Sequence, residues 1–173
     1  MIPENAKERN VVLIGMPGVG KSTVGVLLAK ITSRNFIDTD VYIQAREKRR
    51  LQEILDTEGR EAFCRIEERH VLSAECAHCV IATGGSIIYS DAAMEHLKRN
   101  GVVVHMDLPV RQLKKRLANL DSRGVVMIHG QTLQSLYDER LPLYNKWADC
   151  TIDCRALNHE EAVAKIISRL KLF

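Results

Sequence analysis

The chain has 173 residues, of which 46% are hydrophobic and 27% charged, a composition typical of one folded globular domain. Its net charge of +3 is too small to indicate a nucleic-acid-binding surface, and no apolar run approaches the ~20 residues that span a bilayer. The polar first ten residues do not resemble a secretory signal, and an odd number of cysteines, five, indicates reduced thiols. We therefore expect a single domain over residues 1–173, located in the cytoplasm, without nucleic-acid or membrane partners.

The apolar pattern predicts five strands that alternate with helices. Strands 11–15, 79–83 and 102–108 are nearly continuous apolar runs, as expected where both faces of a sheet are covered. In chain order the predicted elements are strand 11–15, helix 21–33, strand 35–38, helices 51–57 and 60–76, strand 79–83, helix 91–99, strand 102–108, helices 109–118 and 131–146, strand 149–153 and helix 158–171. This alternation is typical of the α/β class, with a parallel sheet and right-handed crossovers.

A glycine-rich segment, residues 15–23, connects the first predicted strand to the first predicted helix and matches the Walker A pattern Gly-x-x-x-x-Gly-Lys-Ser. Its glycines allow backbone N–H groups to converge on a phosphate, and the following helix adds the positive end of its dipole. In this chemistry Lys21 contacts the β- and γ-phosphates, and the Ser22 hydroxyl coordinates Mg²⁺. The segment therefore predicts a phosphate-binding loop for a nucleoside triphosphate.

The Walker A loop alone is compatible with several classes of protein, because GTPases, ATPase motors and small-molecule kinases all have one. The chain is short for a motor, and it lacks the Asn-Lys-x-Asp motif by which GTPases bind guanine. A kinase also needs a pocket for a hydroxyl-bearing acceptor, so the kinase hypothesis requires further polar residues near the loop.

Two acidic residues follow the second predicted strand. Asp38 and Asp40 alternate along the chain, so both carboxylates can face the crevice where a nucleotide binds to a parallel sheet. One carboxylate can orient Mg²⁺ and its water, while the other accepts a proton from a hydroxyl. Asp40 also precedes a predicted helical turn, and we expect it to combine an N-cap role with catalysis.

Six segments resemble the shikimate kinase family in order and spacing over nearly the whole chain. They are GMPGVGKST, FIDTD, GREAFCRIEE, TGGS, the stretch around Arg123, and ERLPLY. The resemblance implies a three-layer α/β/α P-loop kinase fold, with a five-stranded parallel sheet and a lid at about residues 119–130. It also implies a small-molecule substrate, since this family uses ATP and Mg²⁺ to phosphorylate the 3-hydroxyl of shikimate. We expect the chain to act as a monomer.

The resemblance also implies roles for individual residues. The implied catalytic residues are Lys21, Asp40 and Arg123. The implied ATP contacts are Gly18, Val19, Gly20, Lys21, Ser22, Thr23, Arg116, Arg123 and Arg155. The implied metal-binding residues are Ser22 and Asp38, and the acceptor-site positions are Asp40, Arg60, Cys64, Gly84, Gly85 and Arg140. In the family, the residue at Arg140 pairs with the acceptor carboxylate. Arg155 is equally consistent with an ordinary surface arginine.

The sequence departs from the family pattern mainly on the acceptor side. Cys64 occupies the position of an arginine that grips the shikimate carboxylate, and Ser86 replaces the third glycine of a Gly-Gly-Gly motif. Gly124 occupies the position where the family has a proline, directly after the lid arginine. Arg60 replaces a glutamate one helical turn before Cys64. Either Arg60 delivers a guanidinium to the same carboxylate, or it pairs with a glutamate on the surface.

Two functions of different class follow from these observations. The first is an ATP-dependent kinase of a small hydroxy acid, with shikimate as the leading acceptor. The second is a kinase-like nucleotide-binding protein that has another acceptor, or a degenerate acceptor site and a regulatory role. Retention of Asp40, Arg123 and Arg140 favours the kinase, because a nucleotide-binding protein alone needs neither a base nor a carboxylate clamp.

Four cysteines form two closely spaced pairs, Cys76 with Cys79 and Cys150 with Cys154. Together they could supply four thiolates to a structural zinc ion. Both pairs flank predicted core strands, however, so we favour small buried thiols over a metal site.

Overall fold

A computed structural model describes residues 2, 5–118 and 130–173. Its centre is a five-stranded parallel sheet with the order β2-β3-β1-β4-β5. The strands are β1 (Asn10–Ile14), β2 (Asn35–Asp38), β3 (Cys79–Ala82), β4 (Gly101–Asp107) and β5 (Cys150–Asp153). The predicted parallel sheet is therefore confirmed. The predicted lid, apart from Gly130, and its Arg123 lie outside the described residues.

Seven helices connect and cover the strands in the described part of the chain. They are α1 (Lys21–Ile31), α2 (Thr39–Glu47), α3 (Leu51–Ser73), α4 (Asp91–Asn100), α5 (Val110–Ala118), α6 (Leu133–Trp147) and α7 (His159–Leu170). Every residue of β1 and β3 is buried, which requires helices on both faces of the sheet. Among the described helices, none is both long and apolar enough to cross a membrane.

Helix α3 contains a sharp break at Gly59, whose φ of 80° and ψ of 173° are not helical. The two helices predicted at 51–57 and 60–76 are thus the two halves of α3. Glycine adopts a positive φ without the steric cost that a Cβ atom adds, so the chain can turn here and continue as a second helical segment. The second half of α3, after this break, carries Cys64 and Glu67.

The sheet topology explains why the site residues come together. The loop after β1 contains the Walker A segment, α2 follows β2 directly, and residues 83–86 follow β3. In a parallel sheet these three connections emerge at the same carboxyl edge. Since β1 and β2 flank β3 in the sheet, the phosphate-binding loop and the acidic segment lie on either side of residues 83–86.

Candidate active site

The loop after β1 has the backbone geometry that its glycines predict. Gly15, Gly18 and Gly20 all have positive φ, at 147°, 81° and 107°. Gly20 is the N-cap residue of α1, and a Cβ atom there would lie 3.1 Å from Nε2 of His159. Helix α1 therefore begins at Lys21, and the N–H groups of a helix N-terminus after such a loop can bind an anion.

The Lys21 side chain turns back onto this loop. Its Nζ donates hydrogen bonds to the Gly15 carbonyl at 2.8 Å and to the Met16 carbonyl at 3.2 Å, and the residue is 9% exposed. Burial lowers the pKa of the ammonium group to about 8, although the nearby Asp40 carboxylate acts in the opposite direction. A phosphate anion in the loop would offset the cost of burying this charge.

The two carboxylates that follow the predicted second strand, Asp38 and Asp40, make different contacts, and only Asp38 caps helix α2. Asp38 Oδ1 accepts hydrogen bonds from the backbone N–H groups of Asp40 at 3.0 Å and Val41 at 3.2 Å, so Asp38 is the N-cap residue of α2. The prediction that Asp40 caps this helix is therefore wrong, because α2 begins at Thr39, directly after the strand. Neither capping bond uses Oδ2 of Asp38.

Asp40 lies in the first turn of α2 and faces the loop after β3. Burial raises the pKa of its carboxyl to about 6; the Asp38 charge adds to this, and Lys21 opposes it. A Cβ atom on Gly84 would lie 2.7 Å from Oδ1 of Asp40, and the Gly84 N–H donates to Oγ1 of Thr39 at 2.8 Å. A Cβ atom at position 84 would therefore meet side chains from two helices, Asp40 on α2 and, still closer, Glu67 on α3.

The Arg140 side chain is fully buried on the other side of this loop. Its Nε donates to the Tyr89 hydroxyl at 3.2 Å, and its guanidinium lies 5.4 Å from the centre of the Tyr89 ring. A Cβ atom on Gly85 would lie 2.7 Å from Nη1 of Arg140. The structure therefore brings Gly84, Gly85 and Arg140 together.

Arg60 lies beside the same tyrosine and pairs with a glutamate, which is one of the two alternatives predicted for it. Its Nη2 is 3.2 Å from Oε1 of Glu139, and its guanidinium is 4.8 Å from the centre of the Tyr89 ring. Burial raises the pKa of the Cys64 thiol, and the charges of Arg60 and Arg140 oppose that shift. Arg60 therefore pairs with a glutamate, but does so next to Arg140 and Cys64 rather than on a remote surface.

A buried glutamate, which the sequence reasoning did not assign, completes this side of the site. Glu67 is fully buried, and its Oε2 accepts a 2.5 Å hydrogen bond from the Ser86 hydroxyl. Burial and the nearby Asp40 carboxylate raise its pKa to about 8, whereas Ser86, Arg140 and Lys21 act in the opposite direction. Its position was detectable, since it lies four residues after Phe63 on the buried stripe of α3.

Arg116 and Arg155, which were also predicted to contact the nucleotide, have different surroundings. Arg116 donates from Nη1 to the Val19 carbonyl at 2.8 Å, which places it on the phosphate-binding loop. Arg155 instead pairs with Asp153 at 2.6 Å in an exposed position. His159, which the sequence reasoning also did not assign, approaches Gly20 from the start of α7.

The cysteines are free thiols, and Cys79, Cys150 and Cys154 are buried. Within residues 2, 5–118 and 130–173, no group of three or more histidine, cysteine, aspartate or glutamate side chains could hold a metal ion. Of the four paired cysteines, Cys76 is half-buried and the other three are buried.

Three features occur together at the carboxyl edge of the sheet. A glycine-rich loop with a buried lysine opens helix α1. A carboxylate at position 40 faces a glycine pair from the next connection. A buried arginine lies beyond that pair. With the strand order β2-β3-β1-β4-β5, these features define the chain as a P-loop kinase.

The family model for shikimate kinase matches residues 17–171, and the chain therefore belongs to the shikimate kinase family. A shikimate kinase from Thiobacillus denitrificans is 36% identical over 151 residues, which are 86% of this chain and 82% of that protein. The shikimate kinase from Acinetobacter baumannii, solved in complex with shikimate, matches with a TM-score of 0.86 at 30% identity. That match covers 98% of this chain and 97% of the solved one. The resemblance seen in the sequence is confirmed.

A relative with a different name shares the same segment. Human threonine synthase-like 1 is 31% identical over 169 residues, which are 96% of this chain but 23% of that protein. A segment similar to this chain therefore also occurs within a longer protein.

The buried Glu67 leads to a prediction about stability. Its pKa rises from 4.5 to about 8 on folding, so the folded state holds this proton more tightly. The corresponding stabilisation is complete below pH 4.5 and is lost as the pH rises towards 8. Because glutamine stays neutral, Glu67→Gln should gain stability relative to the wild type across this window, by up to a few kcal/mol.

Urea unfolding at pH 5, 6, 7 and 8 would measure this difference. Glu61→Gln, on the exposed face of the same helix, is the matched control. Parallel stability curves for the wild type and Glu67→Gln would contradict a buried, proton-bearing carboxyl at this position.

Proposed function

We propose that this kinase transfers the γ-phosphoryl group of ATP, bound with Mg²⁺, to the 3-hydroxyl of shikimate. The observation that carries the proposal is the arrangement of Lys21, Asp40 and Arg140 around the Gly84–Gly85 loop. A phosphate-binding cation lies on one side of the proposed base, and a buried guanidinium lies on the other. Such a site suits an acceptor that has both a hydroxyl and a carboxylate.

On the donor side, the loop N–H groups and Lys21 would hold the phosphates, and Arg116 would lie near the base of the nucleotide. Arg123 and Arg155 complete the proposed ATP contacts. The ATP-binding set is Gly18, Val19, Gly20, Lys21, Ser22, Thr23, Arg116, Arg123 and Arg155.

The residues present also fit a magnesium ion. Ser22 is exposed at the first turn of α1, and Oδ2 of Asp38 takes no part in capping α2. These are oxygen ligands of the type that Mg²⁺ prefers. Mg²⁺ would neutralise charge on the transferring phosphoryl group.

On the acceptor side, Arg140 would bind the shikimate carboxylate, and Asp40 would orient the 3-hydroxyl and accept its proton as the oxygen attacks phosphorus. Glycine at positions 84 and 85 lets these side chains approach the loop closely, since a Cβ atom would meet Glu67 and Asp40 at position 84 and Arg140 at position 85. Because position 64 has a thiol where the family has a guanidinium, we expect a weak grip on the carboxylate and hence a high KM for shikimate.

ADP release, coupled to a spectrophotometric assay, would test this function with shikimate and a panel of other hydroxy acids. We expect turnover with shikimate that requires both ATP and Mg²⁺. Inactivity on shikimate with activity on another acid would contradict the proposed acceptor. ATP binding without turnover on any acid would instead support the second function, a nucleotide-binding domain.

Position 64 provides a sharper test of the acceptor. Cys64→Arg should add a charge-assisted, bidentate contact to the shikimate carboxylate, worth ~1.5–3 kcal/mol. The KM for shikimate should then fall by roughly ten- to a hundred-fold, while the KM for ATP stays constant. Cys64→Met controls for the larger side chain without its charge. An equal effect of both variants would contradict a carboxylate contact.

Arg60 is tested by removing it. If its guanidinium reaches the carboxylate from beside Glu139, Arg60→Ala should raise the KM for shikimate by a similar factor, again without changing the KM for ATP. Arg65→Ala, on the exposed side of the same helix, is the matched control. An unchanged KM for shikimate in Arg60→Ala would assign Arg60 to the ion pair with Glu139 alone.

A further inference from the structure

Two departures from the family pattern, Cys64 and Ser86, meet at one buried carboxyl group. Glu67 lies three residues after Cys64 and therefore on the same face of α3. Ser86 reaches Glu67 from the loop after β3, with Oγ 2.5 Å from Oε2. Both Ser86 and Glu67 are almost completely inaccessible, at 2% and 0% exposed.

The backbone does not explain why a serine occupies position 86. Ser86 has φ of −97° and ψ of −10°, which any residue adopts, so glycine is not required there. Ser86 precedes a short 3₁₀ turn at Ile87–Tyr89, but its side chain makes no capping hydrogen bond to that turn. Its hydroxyl instead crosses to α3 and binds Glu67.

The second oxygen of Glu67 lies against the backbone of Gly84. Oε1 of Glu67 is buried and has no hydrogen-bond partner among the described residues. A Cβ atom on Gly84 would overlap this oxygen and would also lie close to Oδ1 of Asp40. A buried oxygen without a partner is costly unless a ligand provides one. Oε1 therefore lies at Gly84 together with Oδ1 of Asp40, beside the proposed base for the acceptor hydroxyl.

The charges around Glu67 come from each element packed against it. They are the carboxylate of Asp40 on α2, the ammonium of Lys21 on α1 and the guanidinium of Arg140 on α6. On α3 itself, position 64 contributes a thiol. An arginine at this position would supply a cation to Glu67 at helical i, i+3 spacing.

We propose that Ser86 is a positioning residue of the acceptor site: its hydroxyl holds the Glu67 carboxyl against the Gly84 loop, a task that an arginine at position 64 would otherwise perform. The residues at positions 64 and 86 are therefore coupled through Glu67. This inference rests on the proposed function for the acceptor, but the coupling itself does not require that the acceptor be shikimate.

A double-mutant cycle of Ser86→Ala and Cys64→Arg tests the coupling. Alone, Ser86→Ala should raise the KM for shikimate about ten-fold, the effect of losing one hydrogen bond to an ionisable group, with little change in kcat or in the KM for ATP. In the Cys64→Arg background, the same substitution should change that KM less than three-fold. Ser86→Gly, which restores the family residue, should behave like Ser86→Ala and guards against a poorly folded variant.

Urea unfolding of the four proteins without any acceptor provides a readout that does not depend on activity. Ser86→Ala should clearly lower the urea concentration at the unfolding midpoint in the wild-type background, where position 64 is cysteine. In the Cys64→Arg background the same substitution should lower it only slightly. Ser90→Ala is the matched control, because Ser90 makes a similar 2.6 Å bond to Glu68 on α3 outside the site. Its effect on stability should be the same in both backgrounds, and its KM for shikimate should equal that of the wild type.

Additive effects on the unfolding midpoint would overturn the coupling, whatever the acceptor is. If the effects on the unfolding midpoint are not additive but Ser86→Ala leaves the KM for shikimate unchanged, the positioning role is overturned, because the bond between Ser86 and Glu67 would then be only structural. Inactivity of the wild type on shikimate would overturn the proposed function separately, because the midpoints are measured without substrate.

Discussion

Replacement of Lys21 by methionine is expected to reduce turnover by on the order of 10³-fold, because the transferring phosphoryl group loses its nearest fixed cation. Lys21 is already desolvated by the loop, with Nζ bonded to the Gly15 and Met16 carbonyls. Its charge is therefore held at the phosphate-binding loop by two carbonyl oxygens.

Two controls separate this electrostatic effect from damage to the loop. Lys30→Met changes an exposed lysine on the same helix and should leave kcat unchanged. Lys21→Arg keeps the charge and should retain more activity than Lys21→Met. Retention of more than a tenth of the wild-type kcat by Lys21→Met would remove Lys21 from the mechanism.

The sheet was predictable because its strands are buried on both faces. The apolar runs at 11–15 and 79–83 correspond to strands in which every residue is buried. The Walker A loop was equally recognisable, since a glycine-rich turn between a strand and a helix needs particular residue types at fixed spacing. Local sequence thus determines most of the donor side.

Helix α2 could not be predicted from its residues with the same ease. It is short and polar, and its start depends on Asp38, which caps it directly from the strand. Its buried residue Ile43 packs against a small separate cluster that includes Ile54 and Phe63 of α3. Since that packing is tertiary, the sequence pattern indicated only a helical turn after Asp40, and the cap was placed two residues beyond the observed cap at Asp38.

The acceptor side depends most on contacts between distant segments. Arg60 and Glu139 are separated by 79 positions, and Glu67 and Ser86 by 19. Neither pair follows from spacing along a helix or strand. The sequence therefore predicted that position 64 was altered, but the compensating arrangement around Glu67 could be recognised only when α3 and the loop after β3 were placed together.

Substitution of Asp40 by asparagine is expected to reduce kcat by ~10²–10⁴, the usual contribution of a positioned general base. Asparagine preserves the shape of the side chain but cannot accept the hydroxyl proton. ATP affinity should change little, because the phosphate contacts come from the loop and Lys21. The helix should also persist, since Asp38 rather than Asp40 provides the capping oxygen for α2.

Because Asp38 rather than Asp40 caps α2, the experiment distinguishes a catalytic from a structural role for the Asp40 carboxylate. A structural role for Asp40 would lower ATP affinity, the unfolding midpoint and kcat together, whereas a base lowers kcat alone. Asp56→Asn, which changes an exposed carboxylate on α3, controls for loss of negative charge and should match the wild type in all three measurements. Because Asp40 faces Gly84 from buried surroundings, with Lys21 opposing the rise in its pKa, we expect the loss to appear in kcat.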